Sequence, residues 1–446
     1  MKRYLVTDHG AVADGITLIS DTVQRVIDLC AAEGGGEVVF PAGEYVLATV
    51  FLKSGVHIVL EEGAVLLGSL NFYDYAPHEP IDYPAYQDAS HTYFNTSMFV
   101  GLDCENIAVR GAGRIDMRSV WDEDNVRDMV HRGAKTIALK NCRHVEISGV
   151  TIDNTTDLAV YFAGCEDVDV FGVKMRVYID GISPDNSKNV RIYDCDVESG
   201  DDGIVFKSSY TLNRIDACRN VSVKNCRVKS RCSAIKFGTE TNGGFYDVDI
   251  ENVEVRDTRI TAIAIESVDG AVIDGLTLKN IRIKNAGAPI FIHTGARMRG
   301  PAGVPVGHIR NVTLENITAE GPYEPWEAIE WNYKTFVAGE KVQALWNGGD
   351  QYTSNVCGLA ESPLENITLR NVELTVEGGI TEWEANVPDN LGKYPEVWVY
   401  GKVLPAKGIF FRHVRGLLLD NVKISAYRPD AREDFIFDDV DGLVIQ

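Results

Sequence analysis

Three aspartates carry the most chemistry per residue in this chain. In "VESGDDGIVFKSS" two adjacent carboxylates, Asp201 and Asp202, stand at the mouth of an apolar run, Ile204 to Phe206. Upstream, "DGISPD" opens a similar short strand with Asp180. Superposing these strands as stacked rungs puts Asp180 and Asp202 in one column, with residues of neighbouring rungs roughly 4.8 Å apart. Like charges held that close repel, and no strand requires them. A turn accounts for one Asp after Gly200, but not for a third beneath it. Two explanations remain. Oxygen ligands suit calcium. Alternatively, mutual repulsion keeps one carboxyl protonated while its neighbours stay ionised, which is the arrangement of acid/base catalysis. Glycoside hydrolysis needs that pairing. Carboxylates roughly 6.5–9.5 Å apart leave room for water and give inversion, whereas about 5–5.5 Å gives retention. Two bases, Asp180 and Asp202, holding a water while Asp201 acts as acid would favour inversion.

The same superposition continues through "SAIKFG", "TAIAIE" and "APIFIH". Its first column reads Asp180, Asp202, Ser233, Thr261, Ala288, and its last reads Asp185, Lys207, Gly238, Glu266, His293. Lys207, Lys236, Glu240, Glu266, His293 and Arg297 thus become candidate substrate-binding residues. Each also has a bland reading. The lysines would be ion partners of the aspartates, Glu266 a solvated strand residue, and His293 a satisfied turn histidine.

These residues need a scaffold that returns to the same place. Phrases such as "CRHVEISGVTI", "CEDVDVFGVKM", "CRNVSVKNCRV", "IRNVTLENITA" and "LENITLRNVEL" each follow a polar turn with period-two apolar alternation. Where no insertion intervenes they recur every 22–31 residues, with no long helical pattern between them. That excludes βαβ units and predicts an all-β, single-domain right-handed parallel β-helix over 1–446, whose stacked turns repeat Cys and Asn vertically. Sequons such as those at Asn311, Asn316 and Asn366 read as turn ladders rather than glycosylation sites. Residues 1–70 form the N-terminal cap and first coils. Within them "SDTVQRVIDLCAAEGGG" spaces Val23, Val26, Ile27 and Cys30 as one amphipathic capping helix. Insertions at 322–358 (Trp326, Trp331, Trp346) and 379–406 (Trp383, Trp398) interrupt late coils. Long aromatic loops either carry function or cover an end.

Composition narrows the partners. With 65 acidic against 43 basic residues, net charge −22, the chain lacks the basic footprint of a nucleic-acid binder. No stretch approaches the ~20 apolar residues of a membrane span. "MKRYLVTDHG" is not followed by a secretory apolar run, so a cytoplasmic location is expected. Nine cysteines, most at equivalent repeat positions, predict stacked thiols rather than disulfides. The sequence leaves the oligomeric state open.

"DGISPDNSKNVRIYDCDVESGDDGIVFKS" resembles the central signature of the polygalacturonase-like enzymes, glycoside hydrolase family 28. The N-terminal "ITLISDTVQRVIDLCAAEGGGEVVFPAGEYVLATVFLKSGVHIVLEEGAVLLGS" is similar to the entry cap of pectin-degrading β-helices, and "KYPEVWVYGKVLPAKGIFFRHV" resembles a divergent bacterial branch of that family. The resemblance implies Asp201 as acid, Asp180 and Asp202 as the pair activating water, and inversion. It also marks departures. The family's Gly-His-Gly is Cys232-Ser233-Ala234 here, and its Arg-x-Lys carboxylate clamp is Ala264-Ile265-Glu266. The expectation is therefore a glycosidase without cofactor or metal, acting on pectin-type oligosaccharides of the plant cell wall, in an exo manner. The alternatives are a calcium-dependent lyase or epimerase on the same fold, with Lys207 or Lys236 as base, and a non-catalytic carbohydrate-binding β-helix.

Overall fold

The structure, a computed structural model, describes residues 1–87, 91–120, 133–321, 351–383, 386–389, 392–401 and 403–446. It is a right-handed parallel β-helix with, among the described residues, one α-helix near the N-terminus. The chain divides into two compact units. The first is mainly Met1–Asp201 with Thr211–Arg214, and the second is Asp202–Tyr210 with most of Ile215–Gln446. Trp326, Trp331 and Trp346 lie outside the described residues.

In the first unit, the period-two pattern becomes parallel strands in register. Glu105–Gly111, Arg143–Ser148, Glu166–Phe171 and Lys188–Tyr193 align so that Ile107, Val145, Val168 and Val190 form one column. Val109, Ile147, Val170 and Ile192 form the next. All eight are buried, while Asp169 and Arg191 between them point outward and pair across the coils. The helix is Ser20–Ala32, and its buried residues are Val23, Val26, Ile27 and Cys30, the face read from the spacing. Gln24 ties it to the coil beneath: its amide donates to the Phe51 carbonyl (3.0 Å) and accepts from the Phe51 N–H (2.7 Å).

The second unit repeats the design with longer strands. Val248, Leu276, Val312, Ile367 and Leu417 stack in register, beside Ile250, Leu278, Leu314, Leu369 and Leu419. The column runs out at Leu443 and Ile445 of the last strand, which are 36% and 61% exposed.

Turn residues stack as well. Asn280, Asn316, Asn371 and Asn421 all hold φ between 51° and 56°, a left-handed conformation that Asn adopts more readily than other side-chain-bearing residues. The amides of the last three donate to the carboxamide oxygen one coil back: Asn316 to Asn280 (2.9 Å), Asn371 to Asn316 (3.1 Å) and Asn421 to Asn371 (2.8 Å). Asn366 donates likewise to Asn311 (3.1 Å). The sequon asparagines are thus ladder members. All nine cysteines are free and buried, and the Cys142 N–H donates to the Cys165 sulfur at 3.3 Å, the stacked arrangement expected.

Candidate functional site

In the first unit, Asp180 enters the short strand Ile182–Asp185, which pairs with Val160–Ala163. It is 4% exposed, and its carbonyl accepts the Ala159 N–H at 3.0 Å. The coil beneath carries an unusual buried polar run, Asn154 to Asp157. There the Lys135 ammonium lies 3.4 Å from Asp157 with both side chains at 1% exposure or less, an ion pair that hydrophobic patterning gave no reason to expect. Asp201 closes this unit half-buried. Its carbonyl accepts from the Ser199 hydroxyl at 2.8 Å, which shapes the turn.

The second unit begins with Asp202, 5% exposed. The next residue explains why glycine stands there: a Cβ on Gly203 would lie 2.3 Å from the Val228 side chain and 2.7 Å from the Ala234 carbonyl. Asp202 Oδ1 accepts the Ser233 N–H at 3.1 Å, and its Oδ2 lies 3.6 Å from the Lys236 ammonium. Ser233, Thr261 and Ala288 follow in register, as superposition predicted, and so do Glu266 and His293.

Lys236 is the centre of a buried charge cluster. Its Nζ lies 3.1 Å from Glu396, 3.6 Å from Asp202 and 3.8 Å from Glu266, and the side chain is 2% exposed. Burial works against its charge, but Asp202, Glu266 and Glu396 outweigh burial and hold its pKa well above the usual lysine value. Glu266 behaves oppositely. Burial, with the Glu396 and Asp202 charges, pushes its carboxyl well above the ordinary range despite Lys236. Both Glu266 oxygens are buried without a hydrogen-bond partner among the described residues.

The remaining candidates separate into pairs. Lys207 donates to Glu240 at 2.9 Å, and both side chains are at most 5% exposed. Arg299 approaches the other Glu240 oxygen at 3.5 Å. Arg297 is bound to Asp269, donates to the Thr239 carbonyl at 2.7 Å, and lies 5.7 Å from the ring centre of Tyr394. His293 stacks on Phe291 and shares a 2.9 Å hydrogen bond between Nδ1 and the Tyr400 hydroxyl. Burial lowers its pKa to about 3, so it is neutral. Glu266 and His293 have no accessible surface. They act on neighbouring side chains rather than forming the surface a sugar meets.

Glu396, Tyr394 and Tyr400 were not singled out from sequence. All three come from the second insertion, whose phrase "KYPEVWVYGK" drew notice only as a resemblance. One signal was available, a lone glutamate inside an aromatic, apolar run. Trp398 of the same segment packs against Tyr352 and the apolar cluster around it, while Trp383 is 38% exposed.

Comparison with known proteins agrees with this architecture. The family model described as glycosyl hydrolases family 28 matches residues 30–331. An exo-poly-alpha-D-galacturonosidase of Dickeya chrysanthemi is 23% identical over 86% of this chain and 73% of its own length. Among solved structures, a hyperthermoactive exopolygalacturonase of Thermotoga maritima superposes with a TM-score of 0.71 at 18% identity, covering 95% of this chain and 92% of its own. A family 28 exopolygalacturonase of Yersinia enterocolitica gives 0.70 at 20% identity, covering 98% and 78%.

Proposed function

The chain belongs to glycosyl hydrolases family 28 and is a glycosidase, and on that premise we propose that it cleaves pectin-type oligosaccharides from a chain end with inversion. In this reading Asp201 is the general acid, and Asp180 and Asp202 are the carboxylates that activate water. The observation that carries it is the family match running through both aspartate motifs, residues 30–331.

Local environments support the roles. Asp202 is buried against a lysine ammonium, a setting that favours the ionised form a base requires. Its Oδ1 is fixed by the Ser233 amide, so a water's proton has a defined acceptor. Asp201 is half-buried and open to solvent, as suits a group that must be reprotonated each turnover. In the cycle the Asp201 proton passes to the leaving glycosidic oxygen. Water attacks the opposite face of the anomeric carbon and gives its proton to the Asp180–Asp202 pair. Exchange with solvent then restores both groups.

Exo action follows the galacturonosidase named above, which attacks chain ends by its printed name. The positions that the resemblance assigns to a cationic clamp hold Ala264, Ile265 and Glu266, all buried. A galacturonate carboxylate at that subsite is therefore not gripped by that rung.

The test is a product profile on galacturonan and rhamnogalacturonan oligosaccharides of defined length. The proposal expects one small product from the first minutes, new reducing ends of inverted anomeric configuration by NMR, and activity undiminished by chelator. Asp201→Asn should abolish turnover. Ultraviolet-absorbing unsaturated ends lost on chelation would instead identify a lyase, and retained hydrolysis by Asp201→Asn would remove the acid assignment.

A further inference from the structure

We infer that Lys236, anchored by Glu396 of the second insertion, is a positioning residue that holds Asp202 ionised and fixes the direction of its second oxygen. The inference rests on the reading of Asp202 as a water-activating carboxylate, and it adds a role to the second insertion.

Geometry supplies the first argument. Asp202 Oδ1 accepts the Ser233 N–H at 3.1 Å, and its Oδ2 lies 3.6 Å from the Lys236 Nζ. The lysine reaches there because its register partner in the next strand is Ala264, too small to compete for the space its stem needs. Glu396 stands 3.1 Å from the same ammonium and is 1% exposed. Four residues later Tyr400 is bonded to His293, so the segment is pinned at both ends of one short stretch.

Charge supplies the second. The groups facing Lys236 are Asp202, Glu266, Glu396 and the Cys232 thiol, and Glu266 also feels Arg297. Three ionised carboxylates around one ammonium, all out of water, repel one another. Burial pushes the Glu266 carboxyl up, so it competes least for the ammonium, and Glu396 and Asp202, at 3.1 and 3.6 Å, are its nearer partners. A lysine shared by two carboxylates serves as a bridge. Glu396 sets its position, and Asp202 receives its field. A purely structural ion pair between Lys236 and Glu396 would hold the insertion down and leave the titration of Asp202 untouched. That is where the two readings part.

The experiment uses the full chain labelled with ¹³C at aspartate carboxyls, with Asp202→Asn identifying the Asp202 signal. In Lys236→Met the Asp202 titration should move up by about one to three pH units, the range seen when a neighbouring cation is lost. Lys236→Arg should stay near wild type. If Lys236→Met does not fold, the double variant Lys236→Met/Glu396→Met removes the pair as a unit, an exchange that buried ion pairs often tolerate. The same upward movement is expected of it. An Asp202 titration unmoved in either folded variant overturns the inference. Failure of the underlying reading looks different: Asp202→Asn would hydrolyse oligosaccharides at the wild-type rate whatever the lysine does.

Discussion

Glu396 places its carboxylate 3.1 Å from the ammonium of Lys236 across 160 residues of chain, and both side chains are 2% exposed. A pair so buried is costly to break by halves. Glu396→Gln leaves Lys236 with one ionised partner fewer, and should destabilise the protein by about 3 kcal/mol. Denaturant midpoints would show this. A double-mutant cycle with Lys236→Met should return a coupling of about 0.5–3 kcal/mol. Additive effects would mean that the two charges do not interact.

That contact also shows where sequence reading stops. Columns such as Val248–Leu276–Val312 and Glu266–His293 were legible because each strand repeats one short pattern, and stacking leaves only one sensible register. The helix face of Val23, Val26, Ile27 and Cys30 was legible for the same reason, a local period. Glu396 follows no period. Its path from the late coils to Lys236 is set by packing of Val397, Val399 and Tyr400 into an apolar cluster with Phe291 and Phe410, which no spacing encodes. The Lys135–Asp157 pair was hidden likewise, because charged residues are rarely fully buried.

The asparagine ladder gives a prediction with two separable parts. Asn371 holds φ at 51°, donates to Asn316 and accepts from Asn421. Asn371→Gly loses only the side-chain bonds and should cost about 1 kcal/mol. Asn371→Ala adds a left-handed strain of about 1–2 kcal/mol, so it should be the worse of the two. Equal losses in unfolding midpoint would show that the backbone conformation contributes nothing.

In the core, Leu278 is fully buried between Ile250 and Leu314 in register. Leu278→Ala leaves a cavity that rigid coils cannot close, and should cost about 2–5 kcal/mol. The same change at Leu443, in the final coil and 36% exposed, should cost well under half as much by the same unfolding measurement.

Glu266 makes stability depend on pH in the basic direction. Its folded pKa is raised above the ordinary 4.5, so the folded state binds the proton more tightly than the unfolded chain. Unfolding then releases a proton wherever pH lies between those values, and stability falls as pH rises through that window. Glu266→Gln keeps the shape and removes the titration. Melting temperatures of wild type and Glu266→Gln, measured from pH 4 upward, should diverge with the variant gaining. Parallel curves would mean that Glu266 is ionised in the fold.

His293 acts in the opposite direction, through the same linkage. Burial lowers its pKa from 6.5 to about 3, so the folded state refuses a proton that the unfolded chain accepts. Stability from this group is complete above pH 6.5 and is lost progressively as pH falls towards 3. His293→Gln can still offer a polar atom to the Tyr400 hydroxyl, which sits 2.9 Å from Nδ1 in the wild type, but it has nothing to titrate. At pH 7 the variant should be the less stable, because it fits the stack on Phe291 poorly. Between pH 6 and 4 the wild type should lose stability faster, so the gap narrows as acid is added. A gap that stays constant across that range would show that His293 titrates alike in both states, and that its burial does not keep it neutral.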